Sequence, residues 1–186
     1  MTATLTRPSL PAAPGLPSAG AWEIDPARAV VSFSGRASFL TPTISARFLD
    51  ITGRVSVDAD TAGGDIDVAV DVTSMTTGNQ AWDDVIATFD PFDVAHFPIA
   101  TYRSTAVSWT GDEVRIDGVL TLRGVSRSVA LTASYAVGRC GRRMLVRAAG
   151  SIDREDFGVR FDVPGLGKII PRRMSLAIDV DVTLAA

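Results

Sequence analysis

Hydrophobicity along this chain repeats with a period of two. In DIDVAVDV (65–72), Ile66, Val68, Val70 and Val72 share one face, and Asp65, Asp67 and Asp71 share the other. MSLAIDVDVTL (174–184) sets Met174, Leu176, Ile178, Val180, Val182 and Leu184 against Asp179, Asp181 and Thr183. VRIDGVLTL (114–122) and SVALTASY (128–135) alternate in the same way. Successive side chains of a strand leave opposite faces of a sheet, so the pattern requires strands with one buried and one wet face. Without a layer of helices to cover them, the strands must bury their apolar faces against one another.

Segments 29–39, 44–57, 100–109 and 143–152 are further strand candidates, separated by the turn signals TAGG, TGDE, RGVS and GRCG. That makes eight strands, most of them antiparallel neighbours joined by short turns, as in a sandwich or a closed barrel. With 186 residues, 46% of them hydrophobic, the chain has material for one domain with a sizeable core. We assign it to residues 21–186 and expect the proline-broken stretch 1–20 to be a disordered arm.

One segment breaks the period. In GNQAWDDVIATFD, Trp82, Val85, Ile86 and Phe89 fall at helical spacing, with Asn79 placed to cap the helix, Asp83 and Asp84 in its first turn, and Pro91 to stop it. The following FDPFDVAHFP (89–98) holds the sole histidine, His96, among phenylalanines and prolines. The prolines read as corner pieces. His96 reads as a surface or capping residue, because there is no second His and no Cys nearby to complete a metal site.

The catalytic readings find little support. A Ser–His–Asp arrangement would have to use His96, and no serine sits in a G-x-S-x-G turn. TTGNQ lacks the lysine of a phosphate loop. The lone Cys140 excludes an intramolecular disulfide and a cysteine-built metal site. A net charge of -3, with scattered arginines, argues against nucleic acid as a partner. No run of 18 apolar residues exists to form a membrane-spanning helix, and the first twenty residues make a poor signal peptide, so the expected location is cytoplasmic. SIDREDFGVRFDVPGLG (151–167) groups Asp153, Arg154, Glu155 and Asp156 between Ile152 and Phe157. It reads either as an ion-pair cluster fixing a turn or as a site where Arg154 meets an anionic head group.

Several of these stretches together resemble the YceI-like family of polyisoprenoid-binding, lipocalin-like barrels. The resemblance is carried by WEIDPARAVVSFS (22–34), SMTTGN (74–79), FDPFDVAHFPIATYRST (89–105), DGVLTLRGVSRSVALT (117–132) and SIDREDFGV (151–159), and it ends in the strand 174–184. It implies an all-β fold, an eight-stranded antiparallel barrel extended relative to lipocalins, with one short helix. It also implies non-enzymatic binding, transport or storage of a long-chain apolar or amphiphilic lipid, such as an isoprenoid quinone or a prenyl phosphate, with no cofactor and no metal. The candidate wall residues are Phe33, Phe39, Phe48, Trp82, Ile86, Phe89, Phe92, Tyr102, Leu120, Leu122, Leu131 and Phe157, with Arg154 at the head group. The chain departs from the family at Ala37, Ser38, Trp82 and Val85, where relatives often carry basic or histidine residues. Two other readings stand beside the carrier: an enzyme working on an apolar substrate in the same lumen, and a barrel filled by its own side chains that pairs as a homodimer.

Overall fold

The computed structural model describes residues 17–38, 40, 42–59, 63–110, 113–161 and 170–185. Most of the expected arm, and Phe39, lie outside the described residues. The alternating segments form β1 (Gly20–Gly35), β2 (Ile44–Phe48), β3 (Ile51–Val57), β4 (Gly64–Asp71), β5 (Met75–Thr76), β6 (Ile99–Thr110), β7 (Glu113–Leu122), β8 (Val125–Val137), β9 (Arg143–Asp153) and β10 (Arg173–Leu184). All pair antiparallel. Running β10-β9-β8-β7-β6-β4-β3-β1, with β10 paired back onto β1, they make a closed eight-stranded barrel, with a single α-helix among the described residues. Closure leaves the ring without the free strand edges that invite pairing with other chains.

The two extra strands come from interruptions. The expected strand 44–57 breaks at Leu49–Asp50, where both backbone N–H groups turn aside to the Ser74 hydroxyl, at 3.1 and 3.0 Å. Its first half, β2, pairs with the last part of β1, and its second half, β3, pairs with the first part. Next door, β4 gives way to a 3-10 turn, Val72–Ser74, capped by the Asp71 carboxylate, before β5 resumes against β2.

β1 starts nine residues earlier than the alternation predicts, at Gly20 and not at residue 29. Asp25–Pro26 obscures the period, and the register jumps there: Ile24 pairs with Val182 and Ala29 with Val180. A bulge is where a strand tolerates proline, and this one lets β1 bend around the ring.

The helix, α1 (Gln80–Phe89), is the one the spacing predicts. Asn79 Oδ1 accepts the N–H groups of Ala81 and Trp82 at 3.0 and 3.3 Å. Asp83 ties the first turn to the preceding strand by accepting from the Thr76 hydroxyl (2.7 Å) and from both the N–H (2.7 Å) and hydroxyl (2.5 Å) of Thr77. Those hydrogen bonds hold the Asp83 carboxyl below its ordinary pKa.

α1 and residues 36–38, 42–43, 90–98, 154–161 and 170–172 gather at one end of the barrel. The opposite end is a packed floor of Trp22, Val57, Val114, Tyr135, Met144 and Val182, all buried. The Trp109 ring stands edge-on to Tyr135 with centroids 5.0 Å apart. Trp22 donates its indole N–H to the Ser18 carbonyl at 3.0 Å, so the largest floor residue is satisfied as well as buried.

Candidate functional site

Above this floor the barrel is open. A cavity of about 210 Å³ runs from Ile24, Ile116, Val146 and Val180 up to Ile44, Ile86, Phe161 and Ile170 at the loop end. The interior is therefore not filled by the protein's own side chains. Small residues provide the space: Ala46, Ala100 and Ala148 take inward positions. At Gly118 a Cβ would strike the Tyr102 ring, so the bare backbone is what allows that phenol its place in the wall.

The wall is built by parity. β4 contributes Ile66, Val68 and Val70; β10 contributes Met174, Leu176, Ile178 and Val180; β7 contributes Ile116, Leu120 and Leu122. The alternating partners of these residues, Asp65 and Asp67 among them, face water. Cross-strand ion pairs dress the outside, including Arg147–Asp179 at 3.2 Å, Arg143–Asp181 at 2.7 Å and Arg103–Asp67 at 3.2 Å. Among the described lining residues, only Thr77, Tyr102 and Arg154 bring a hydroxyl or a charge to the wall. Burial pushes the Tyr102 phenol up to about 12, so it stays neutral, and its hydroxyl donates to the Val129 carbonyl at 3.0 Å.

Of the residues singled out from sequence, Phe33, Phe48, Ile86, Phe92, Tyr102, Leu120, Leu122 and Leu131 line the cavity. Phe33 and Phe48 pack with ring centroids 5.4 Å apart, and Phe48 meets Phe92 edge-on at 6.0 Å. Three others do not line it. Trp82 and Phe89 are 41% and 50% exposed, because α1 reaches the lumen through Ile86, and these two sit a turn away on either side. Phe157 is buried in the packed core, because β9 ends at Asp153 and the 3-10 turn Arg154–Phe157 breaks the strand's parity. Ile24, Val31, Val55 and the β4 and β10 residues were missed by attention to bulky aromatics, although the same alternation already placed most of them on the inward face.

Among the described residues, Arg154 is the one buried charge of the site, 6% exposed. Its Nε donates to the Pro171 carbonyl (3.1 Å), Nη1 to Val159 (2.7 Å) and Nη2 to Ile170 (3.3 Å). Glu155 lies 3.5 Å from Nη2, and the Phe161 ring centroid is 5.3 Å from the guanidinium carbon. The side chain thus ties the two ends of the stretch 159–171 to the end of β9. The neighbouring acids serve the same turn: Asp153 caps it through the Glu155 N–H, and Arg172 bridges Asp153 and Glu155 at 3.1 Å each. These bonds fix the turn that the SIDREDF cluster forms and occupy three of the Arg154 N–H donors.

His96 is on the surface. Its ring nitrogen Nδ1 lies 2.6 Å from Asp93 Oδ1, its side chain is 75% exposed, and it does not line the cavity. The Asp93 hydrogen bond and charge raise its pKa. Among the described residues there is no cluster of His, Cys, Asp and Glu able to hold a metal, and no helix long and apolar enough to cross a membrane.

The YceI-like domain family matches residues 22–185. Protein YceI of Escherichia coli O157:H7 is 33% identical over 122 residues, 62% of this chain and 63% of that protein, so the match spans less than two thirds of the relative. Protein YceI of Salmonella arizonae gives the same identity and coverage. Among solved structures, Burkholderia cenocepacia BcnA superposes with a TM-score of 0.73 at 24% identity, covering 86% of this chain and 99% of that one. A polyisoprenoid binding domain from Saccharophagus degradans, implicated in plant cell wall breakdown, gives 0.65 at 16% identity, with 88% and 98% covered. The Campylobacter jejuni YCEI protein gives 0.66 at 22%, with 80% and 90% covered. At these identities the structures establish a shared fold.

Proposed function

The chain belongs to the YceI-like family, and on that footing we propose that it is a non-enzymatic carrier or store for a long-chain apolar or amphiphilic lipid, a polyisoprenoid being the leading candidate. The observation that carries the reading is the wall: a deep cavity, closed below by Trp22 and its neighbours, whose lining is hydrocarbon almost throughout. Ligand cavities are mostly apolar with a few polar groups, and this one lies at the apolar extreme. A relative of the same fold, the Saccharophagus degradans domain, is described as polyisoprenoid binding, which supports the choice of ligand class.

In this reading Phe33, Phe48, Ile86, Phe92, Tyr102, Leu120, Leu122 and Leu131 contact the chain. Burying hydrocarbon contributes about 0.8 kcal/mol per methylene-sized group, hence up to ~4 kcal/mol per five-carbon isoprene unit. Association and chain ordering offset a large part of that. A few units therefore suffice for micromolar binding with no charged anchor. Binding rather than turnover is supported by the engagement of the titratable groups at this end: Asp83 locks α1, Arg154 and its acids fix a turn, and His96 faces water.

The test is organic extraction of gently purified protein, followed by mass spectrometry. A stoichiometric isoprenoid, quinone or acyl species is the expected result. Protein that is empty, and that also fails to take up such compounds, would overturn the reading.

A further inference from the structure

Six large apolar side chains stand exposed among the described residues: Leu40, Leu49, Trp82, Phe89, Phe97 and Ile99. All six belong to the loop end of the barrel. Leu40 follows β1, Leu49 stands at the break between β2 and β3, Trp82 and Phe89 are on α1, and Phe97 and Ile99 lead into β6. Backbone bonds draw these segments together: the Asp71 N–H donates to the Asp50 carbonyl at 2.9 Å, and the Val72 N–H to the Pro98 carbonyl at 2.8 Å. Single exposed hydrophobics are ordinary on a protein surface. A group of them around the mouth of an apolar cavity marks a surface that meets another apolar body.

The helix joins this collar to the lumen. Ile86 lines the cavity, while Trp82 and Phe89, on the same apolar stripe of α1, stand outside it, and no residue of α1 is buried. The hydrocarbon surface therefore continues from the wall over the rim. Its polar margin carries both signs. Asp50 and Asp84 are exposed beside Leu49 and Trp82, and Asp90 follows α1. The Arg47 guanidinium reaches Gly78 at the head of α1, and Arg123 adjoins Gly124, against which the Phe97 ring packs. Zwitterionic phospholipid head groups present an ammonium and a phosphate together, which answer the aspartates and the arginines respectively. A strongly anionic surface would meet the aspartates as like charges. A tryptophan at such a rim suits the boundary between water and acyl chains, with its ring in hydrocarbon and its N–H wet.

Resting on the reading that the cavity carries a lipid, we infer that the loop end is a membrane-docking surface, where Trp82 and Phe89 enter the interface of a zwitterionic bilayer and set the mouth of the barrel against its acyl chains. The hydrocarbon of the ligand then passes between bilayer and lumen without crossing water, the step that its apolar surface makes unfavourable.

Flotation of the full chain with vesicles of phosphatidylcholine and phosphatidylethanolamine tests this, with brominated phosphatidylcholine as a quencher of tryptophan fluorescence. Of the three tryptophans, Trp22 is buried in the floor and Trp109 packs on Tyr135 there, so quenching reports Trp82. The wild type should float and be quenched. The double variant Trp82→Ser with Phe89→Ser, its fold checked by circular dichroism, should partition at least about tenfold more weakly. Both proteins should take up geranylgeraniol equally from vesicle-free solution, since neither residue lines the cavity. A wild type that stays unbound or unquenched, or a variant that floats as well as the wild type, would overturn the docking while leaving the carrier reading intact. A dimer in light scattering that the double substitution dissociates would assign the collar to a second copy of the chain, and would overturn the docking as well. Failure of both proteins to take up geranylgeraniol would overturn the carrier reading and this inference with it.

Discussion

The phenol of Tyr102 lies directly on the bare backbone of Gly118, one strand away: a Cβ built on that glycine would come within 2.5 Å of both Tyr102 Cζ and Oη. The ring could not keep its place in the wall, nor its hydroxyl the bond to Val129, if the glycine carried a side chain. Gly118→Val is therefore expected to destabilise the barrel by about 1–3 kcal/mol, the range for overpacking. The double variant with Tyr102→Ala should recover only part of the loss, because the backbone carbonyl of Arg103 also stands 2.6 Å from that Cβ. Denaturant unfolding of the two single variants and the double checks this; additive losses would contradict it.

Arg154 yields a second expectation. Truncation in Arg154→Met leaves the carbonyls of Val159, Ile170 and Pro171 without their donor in a buried setting. Unsatisfied buried polar groups cost about 1–3 kcal/mol each, with partial relief where water can reach them, so a loss of about 3 kcal/mol or more is expected. Arg154→Lys cannot span three acceptors with one ammonium and should recover only part of it. Thermal unfolding reads the effect. A variant of unchanged stability that loses ligand binding would instead make Arg154 a head-group residue.

The His96–Asp93 pair makes stability depend on pH. The hydrogen bond to Asp93 raises the folded-state pKa above the ordinary value of about 6.5. The folded chain therefore holds that proton more tightly than the unfolded chain does. Its contribution is fully present below about pH 6.5 and is lost as pH rises through the folded pKa. The difference in Tm between the wild type and His96→Gln should accordingly be larger at pH 5.5 than at pH 8.5, and lipid binding should be the same in both proteins. A difference that grows with pH would contradict the assignment.

Much of the fold was legible because a two-residue period is a direct statement about two faces. The stretch 65–72 placed Ile66, Val68 and Val70 on the inward face, and all three line the cavity. The period fails where other forces take over. Asp25–Pro26 hides the first part of β1 because a bulge suspends the alternation there. Leu49–Asp50 divides one expected strand because a hydroxyl from a distant turn captures its amides, a contact no local pattern encodes. The helix was readable from Asn79 to Phe89, but its orientation was not: which of Trp82, Ile86 and Phe89 reaches the lumen depends on how α1 sits over the rim. Arg154 sits in a motif visible in sequence, yet its true partners are carbonyls up to 17 residues away.

The central claim is that the inside of the barrel, and not its surface, receives the ligand, and two neighbouring alanines test it. Ala148 lines the cavity; Ala149, next on the same strand, faces water. Ala148→Trp should fill the lumen, and Ala149→Trp should add the same side chain outside, on a strand that tolerates aromatics well. With circular dichroism and Tm recorded to confirm that both fold, geranylgeraniol uptake is measured by native mass spectrometry. The account expects one bound molecule in the wild type and in Ala149→Trp, and a loss of about tenfold or more in affinity in Ala148→Trp. Equal uptake by a folded Ala148→Trp variant would contradict it.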